Sequence, residues 1–346
     1  MILIAPDKFK GSLTARQACD IIAKALRSCG YSDLLLCPMA DGGEGTPHSL
    51  NAPRNSDSTE SKQIPVILSH DYVGPQSFAD IPLIRRSSFA LGEAVRSAYQ
   101  PGKCLYIGLG GTAVCDGGAG FLQALGLRFY DSNDNLVSTH ITPESLPHLS
   151  RAEGLDEIIN SGFGSDVEVL YDVKASLLPK GESLSALDFV AQKGATDSDI
   201  PTIIAGLGNL KRILSPKTES PCDGAAGGLG FALCSALGAR SRVGAAAVLD
   251  SYNIDWNAID LVISGEGRID AQTSGGKVPG YMKQEAERHG VPCLLIGGYV
   301  EPRLRTACCI STIECETDYN SDLAAERLHK AAERANEWLR KAIIKR

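Results

Sequence analysis

Short, mainly apolar runs recur along the chain and are the first guide to its fold. They cover residues 2–5, 34–37, 64–69, 104–109, 167–173, 261–263 and 293–296. Runs of this length, bounded by turn residues, are typical of strands that are buried on both faces of a parallel sheet. Longer segments with helical periodicity lie between several of them. The pattern therefore predicts an α/β fold with a doubly wound parallel sheet.

The helical segments have recognisable ends. Thr14 and Gln17 are spaced as a capping box at the start of the first helix, and Gly30 stands where that helix should end. Further helices are predicted over residues 88–99, 121–125 and 322–345. The polar stretch 51–63 predicts a surface connection, because it combines proline with several serines and threonines.

The turns that follow several apolar runs combine glycine with ionisable residues. They span residues 6–12, 40–46, 110–120 and 265–270. In an open parallel sheet such turns meet at one edge, where ligands bind. Glycines there allow main-chain N–H groups to approach an anion, and carboxylates can hold Mg²⁺ beside phosphate oxygens. The pattern indicates phosphate chemistry. The alternative is that these are only tight turns, with Asp41 and Asp116 as helix caps.

Composition narrows the class of protein. Glycine supplies 36 of 346 residues, but without the three-residue period of collagen. The net charge of −7 argues against a protein that coats nucleic acid or an anionic membrane. Neither a signal peptide nor a membrane-spanning segment is predicted. The 11 cysteines include no C-x-x-C pair, so metal-finger and redox motifs are excluded and reduced thiols in a cytoplasmic protein are expected.

One standard nucleotide-binding motif has a partial match. Gly108, Gly110 and Ala113 follow an apolar run with the spacing of a dinucleotide fingerprint, and Asp131 stands at about the right distance beyond them. That interpretation would make the chain a nicotinamide-dependent oxidoreductase. It is weakened by the segment 116–118, Asp-Gly-Gly, which would break the helix that must begin there. No Walker-type phosphate loop is present.

Several longer segments together resemble the glycerate kinase type-1 family. They are residues 4–13 (IAPDKFKGSL), 38–46 (PMADGGEGT), 108–120 (GLGGTAVCDGGAG), 224–230 (GAAGGLG) and 264–270 (SGEGRID), with Gln272, Thr273 and Lys277. The resemblance runs over nearly the whole chain, in the same order. The second and last segments are far more specific than a lone glycine triplet.

The resemblance implies ATP-dependent phosphorylation of D-glycerate to 2-phosphoglycerate with Mg²⁺. It also implies a Rossmann-like domain made from both chain ends, residues 1–64 and 255–346, with a second α/β domain, residues 65–254, inserted in it. The active site would lie in the cleft between them. ATP and D-glycerate are the expected partners, without nucleic acid or membrane, in a monomer or homodimer.

The resemblance and the chemistry of the turns together suggest roles for individual residues. The expected catalytic residues, which neutralise charge or act as the base, are Lys8, Lys10, Asp41, Asp172, Arg268 and Asp270. The expected cofactor-binding residues are Gly11, Ser12, Gly110, Gly111, Thr112, Gly227, Gly228 and Lys277. The expected Mg²⁺ ligands are Asp7, Asp41 and Glu44. The base is left open between Asp172 and Asp270.

A diverged member of the same family is the main alternative. The stretch between Thr46 and Ser88 is shorter than in that family, which would suit action on another small hydroxy acid or binding without turnover. The nicotinamide-dependent oxidoreductase is the third and least favoured interpretation.

Overall fold

The computed structural model describes residues 1–51, 65–270, 273, 277–336 and 338–340. Most of the predicted connection 51–63, Gln272 of the quoted motifs and the end of the helix predicted over 322–345 lie outside these residues. The strands are β1 (Ile2–Ile4), β2 (Leu34–Leu36), β3 (Val66–Leu68), β4 (Leu105–Gly108), β5 (Arg128–Asp131), β6 (Leu149–Glu153), β7 (Val167–Tyr171), β8 (Arg240–Val243), β9 (Leu261–Ile269), β10 (Cys293–Val300) and β11 (Cys309–Ser311).

The α-helices of the described residues lie between and after these strands. They are α1 (Ala15–Ser28), α2 (Thr46–Leu50), α3 (His70–Val73), α4 (Phe89–Ala98), α5 (Ala119–Ala124), α6 (Leu155–Asn160), α7 (Phe163–Asp166), α8 (Ile200–Leu214), α9 (Gly244–Ser251), α10 (Val278–Arg288) and α11 (Ala324–Arg334). The predicted capping box of α1 is confirmed, since Thr14 and Gln17 exchange hydrogen bonds. Gly30 follows α1 with φ +93°, as a helix-ending glycine requires.

The chain forms two compact units. Unit 1 combines Met1–Lys62 with Gly244–Arg346, and unit 2 is Gln63–Val243. The inserted segment thus ends at 243, earlier than the expected 254, because α9 belongs to unit 1. There Gly244 packs so closely on the main chain of Asp41 that a Cβ atom would lie 2.2 Å from its carbonyl carbon.

Unit 1 is built on a five-stranded sheet in the order β11-β10-β9-β1-β2, and all of its neighbouring strands are parallel. Ile2 and Ile4 pack into the core cluster with α1 and α11. Leu3, which alternates with them and so points to the opposite face, is also fully buried. Both faces of the sheet are therefore covered, as expected for a doubly wound sheet.

Unit 2 contains a four-stranded parallel sheet in the order β3-β4-β7-β8 and a separate antiparallel pair, β5 and β6. Its core includes the buried rings of Phe121, Phe129 and Phe231. The predicted α/β class with parallel sheets is confirmed in both units. No helix among the described residues has the length and apolar character to cross a membrane.

The loop after β4 does not have dinucleotide-binding geometry. The peptide after Gly108 runs through ten further residues before α5 begins at Ala119, whereas the fingerprint needs a helix that starts within its glycines. Asp116 accepts hydrogen bonds from the N–H groups of Gly118 and Gly120 at the start of α5. The nicotinamide interpretation is therefore not supported.

Candidate active-site residues

Asp7 lies directly after β1 of unit 1 and is almost fully buried. Its Oδ1 accepts a hydrogen bond from the N–H of Lys8 at 2.7 Å, and its own N–H donates to the carbonyl of Gly265 within β9. Burial raises the pKa of the Asp7 carboxyl well above its usual value, and the nearby carboxylate of Asp41 raises it further. Burying an anion next to another anion is costly, so a cation would be stabilised there.

Asp41 stands in the tight loop between β2 and α2. Its Oδ1 accepts from the N–H of Gly43 at 3.2 Å, while Thr46 Oγ1 accepts from the N–H of Gly42 and donates to the carbonyl of Gly43. Gly45 adopts φ +93° immediately before α2. These hydrogen bonds hold the loop in one conformation. The one that involves the Asp41 carboxylate is accepted by its Oδ1.

Glu44 does not join Asp7 and Asp41 in the way that the sequence predicted for a metal site. Lys8 Nζ lies 3.1 Å from the Glu44 carbonyl oxygen and 3.5 Å from its carboxylate, and the Glu44 side chain is largely exposed. Within the described part of the chain, no group of three His, Cys, Asp or Glu side chains is arranged to hold a metal ion. The structure thus brings Lys8 and Glu44 together as an ion pair.

Glu266 is a buried carboxyl group of the quoted motifs to which the sequence assigned no role. It lies within β9, with 7 % of its surface exposed. Thr273 donates to its Oε1 at 2.8 Å, and Lys277 Nζ lies 4.0 Å from its Oε2. Burial raises the pKa of Glu266 to about 7, against the opposing effects of Lys277 and Thr273.

A sequence signal for Glu266 exists in the two glycines that flank it. Gly265 lies against β10, where a Cβ atom would be only 2.1 Å from the carbonyl oxygen of Ile296. A carboxylate between glycines on a central, otherwise apolar strand is buried by its position and could have been selected on that basis.

Arg268 and Asp270, which the sequence predicted for separate roles, are bonded to each other. Arg268 Nε donates to Asp270 Oδ2 at 3.1 Å, and its guanidinium also pairs with Glu316. The guanidinium lies 5.5 Å from the ring centre of Tyr299. Asp270 Oδ2 is thus engaged by the Arg268 guanidinium, which reduces the case for Asp270 as the general base.

Lys10, Gly11 and Ser12 form the turn after Phe9. Lys10 is exposed, whereas the Ser12 hydroxyl donates to the carbonyl of Phe9 at 3.0 Å. Gly11 has φ +79° and packs against the hydroxyl of Tyr319. The conformation of this turn explains why glycine stands at 11 and serine at 12. Their contact with a cofactor stays a prediction.

The predicted residues of unit 2 fall into two groups. Gly110, Gly111 and Thr112 follow β4, and Gly111 is exposed. Gly227 and Gly228 are buried, and a Cβ atom on Gly227 would lie 2.0 Å from the carbonyl oxygen of Val114. Close packing of two main-chain segments therefore explains Gly227 and Gly228, and their predicted role in phosphate binding stays a prediction.

Two carboxylates of unit 2 differ in their surroundings. Asp116 is fully buried and accepts four hydrogen bonds, from the N–H and hydroxyl of Ser88 and from the N–H groups of Gly118 and Gly120. These bonds make it a structural cap, which was the alternative interpretation. Asp172 follows β7, is half-buried and interacts electrostatically with Lys193.

Comparison with known proteins identifies the family. Residues 2–344 match the family described as the glycerate kinase family. The chain is 33% identical to a glycerate kinase of Bacillus subtilis (strain 168) over 332 residues, covering 86% of this chain and 85% of the relative. It is 31% identical to a glycerate 2-kinase of Escherichia coli (strain K12) over 329 residues, covering 86% and 84%.

A crystal structure of a protein named glycerate kinase 2, from Salmonella typhimurium LT2, has the same fold. It aligns with a TM-score of 0.75 and 28% sequence identity, covering 98% of each chain. The resemblance seen in the sequence motifs is thus confirmed, as is the prediction of a kinase. The chain belongs to the glycerate kinase family.

Proposed function

We propose that this protein transfers the terminal phosphoryl group of ATP to the 2-hydroxyl of D-glycerate, giving 2-phosphoglycerate. The family match over residues 2–344 supports glycerate as the acceptor. The relative named glycerate 2-kinase supports the 2-position. The observation that carries the proposal is a set of three carboxylates of unit 1, Asp7, Asp41 and Glu266, that interact electrostatically with one another. The first follows β1, the second follows β2, and the third lies within β9.

Asp7 and Asp41 are suited to hold Mg²⁺. Mg²⁺ binds through one or two carboxylates together with phosphate oxygens and water, so it does not require a cage of three side chains. The two carboxylates repel each other in a buried setting, which a divalent cation would relieve. When bound, the ion would neutralise charge on the phosphates. Glu44, paired with Lys8, is a weaker candidate.

Glu266 is the proposed proton acceptor. A general base works best when its pKa lies near the operating pH, and the pKa of Glu266 is about 7. Thr273 fixes one carboxylate oxygen, so the group has a defined orientation. Asp270, paired with Arg268, is disfavoured. Asp172 of unit 2 remains the alternative base.

Cationic side chains would bind the anionic parts of the substrates. Lys8 and Lys277 carry ammonium groups that pair with Glu44 and Glu266 of unit 1. Arg268 adds a guanidinium, and Lys10 is exposed in the turn after Phe9. Phosphoryl transfer depends on positioning and charge neutralisation more than on covalent catalysis, so such groups are expected around it. In unit 2 the exposed turn at Gly110 and Gly111 is proposed to bind phosphate.

The test is a coupled assay of ADP release with ATP, Mg²⁺ and D-glycerate, followed by NMR identification of the phosphorylated carbon. Release of ADP that depends on D-glycerate, with phosphate on carbon 2, is the expected result. A panel of other small hydroxy acids serves as the comparison. Release with one of those acids and none with D-glycerate would make the chain a diverged family member, and release with none would refute the proposal.

We also propose that the protein works in the cytoplasm. All 11 cysteines are free thiols, including Cys104, Cys308 and Cys315 on the surface. Exposed thiols persist in a reducing compartment, whereas oxidising compartments favour disulfides.

A further inference from the structure

Lys193 brings a positive charge to the turn after β4, and nothing in the sequence motifs singled it out. It ends a short 3₁₀ turn, Ala191–Lys193, which Gly194 terminates with φ +91°. Its Nζ donates to the carbonyl of Val114 at 2.9 Å and lies 3.3 Å from Thr112 Oγ1. The ammonium group therefore sits on the Gly110–Val114 turn, beside the exposed peptide of Gly111.

Arg86 holds the Lys193 segment against the same turn. One guanidinium nitrogen, Nη1, donates to the carbonyl of Ala113 at 3.1 Å and to the main-chain carbonyl of Lys193 at 2.9 Å. Its Nε donates to the carbonyl of Ile81 at 2.7 Å. These three bonds fix the guanidinium from three segments of unit 2, so Arg86 acts as a positioning residue and Lys193 is placed by it.

The Lys193 ammonium group is held in a buried setting that contains both cationic and acidic neighbours. Burial lowers the pKa of its ammonium group, and the guanidinium of Arg86 acts in the same direction. Cys115, Asp116 and Asp172 act against this. The Asp116 carboxylate also accepts hydrogen bonds from the N–H and O–H groups of Ser88 and from the start of α5. An ammonium group has three N–H donors, of which Val114 and Thr112 accept two, so an anionic oxygen could accept the third in a charge-assisted hydrogen bond.

We infer that Lys193 and Thr112 form a binding site for an anionic oxygen of a substrate, either a phosphoryl oxygen of ATP or the carboxylate of glycerate. Gly110 and Gly111 would let the ligand approach the main chain, and Lys193 would supply the charge. The inference deepens the proposed function and rests on it. It adds a residue from a distant part of the chain to the turn that the sequence predicted.

The experiment compares Lys193→Met, Lys193→Arg and Thr112→Val with the wild type, all as full-length chains. Titration calorimetry measures binding of inorganic triphosphate and of D-glycerate, and the kinase assay gives KM for ATP and for glycerate. Lys180→Met is the matched control, because Lys180 is an exposed lysine of the same unit that pairs with Glu219. Thermal midpoints check folding.

Lys193→Met and Thr112→Val are expected to lower the affinity for the same anion by about 10- to 100-fold, which is the usual loss for a charge-assisted hydrogen bond. Lys193→Arg should retain most of the affinity, and Lys180→Met should match the wild type. Lower affinity for triphosphate with a raised KM for ATP would assign the site to a phosphoryl oxygen. Lower affinity for D-glycerate with a raised KM for glycerate would assign it to the carboxylate.

Unchanged affinities and KM values in Lys193→Met would overturn the inference while the proposed function stood. Should Lys193→Met fail to fold, Thr112→Val decides, and unchanged binding in that variant overturns the inference as well. A wild-type chain that binds neither probe and releases no ADP with D-glycerate would overturn both proposals.

Discussion

A substitution at Asp41 can test the effect of its carboxylate on catalysis separately from its effect on folding. Its Oδ1 accepts a hydrogen bond from the N–H of Gly43, which an asparagine oxygen can also accept. We expect Asp41→Asn to lower kcat by about 100-fold, because one negative charge facing the proposed metal is lost. The thermal midpoint should stay close to that of the wild type.

The matched control for this prediction is Asp20→Asn. Asp20 is exposed on α1 of the same unit and forms an i,i+4 ion pair with Arg16. Pairs of this kind contribute little to stability, so kcat and the thermal midpoint should both stay near the wild-type values. Unfolding of Asp41→Asn at the assay temperature would show that the Asp41 carboxylate is structural.

The raised pKa of Glu266 predicts how the stability of the protein depends on pH. Its pKa is raised to about 7, so between the unfolded value of 4.5 and pH 7 the folded state binds more protons than the unfolded state. Stability therefore falls as pH rises through this window, by about 3 kcal/mol for the full shift. Glu266→Gln should remove that dependence, so the variant should gain stability over the wild type at pH 8 and match it near pH 5.

Urea denaturation at the two pH values, in buffer without divalent cations, measures the difference. The Glu266 carboxylate also raises the pKa of Asp7, so the measured difference between the two proteins includes the loss of that interaction. A difference between the proteins that does not change with pH would mean that the Glu266 carboxyl is ionised throughout.

Burial and partners explain which site residues could be found from the sequence. Asp7 and Asp41 follow apolar runs, so their position at the end of a strand was predictable. The bond between Arg268 and Asp270 joins residues only two positions apart at the end of β9, so it was also accessible from the sequence. Lys193 was not, since its contact with Val114 joins segments that are 79 positions apart.

At the scale of elements, the predicted strands are the ones that coincide with apolar segments of the sequence. β1, β4 and β10 lie in apolar runs, and the sequence located each of them. It also located β7, although Glu168 lies within it, and the apolar start of β9. β8 and β11 are edge strands of their sheets, and β8 reads Arg-Ser-Arg-Val, which carries no such run. β5 and β6 pair only with each other and carry charged residues. Their position depends on tertiary pairing, which a local pattern does not contain.

The packing of the 224–230 segment gives a prediction for a whole element. Gly227 has φ +68°, and a Cβ atom there would lie 2.0 Å from the carbonyl oxygen of Val114. We expect Gly227→Ala to destabilise the protein by about 3 kcal/mol or more, through strain and overlap with the main chain. Urea denaturation measures the loss.

Gly102→Ala is the control for backbone strain alone. Gly102 also has a positive φ, +76°, but a Cβ atom there would meet no described residue within 4 Å beyond its own chain neighbours. It should cost only about 1 to 2 kcal/mol. Normal stability of Gly227→Ala combined with a raised KM for ATP would restore the interpretation that this segment binds phosphate.

For the whole molecule, the thiols report on folding and on compartment together. Cys104, Cys308 and Cys315 are exposed, Cys29 and Cys293 are half-buried, and the other six of the 11 are buried. Burial also raises thiol pKa values, to about 12 for Cys37, and a protonated thiol is a poor nucleophile.

We expect three thiols of the native protein to react rapidly with a disulfide reagent, and all 11 to react in guanidinium chloride without added reductant. Rapid reaction of many more than three would mean that the two cores open readily in solution. Fewer than 11 in the unfolded chain would reveal a disulfide and would argue against the cytoplasmic setting proposed above, because a reducing compartment keeps every one of these thiols free.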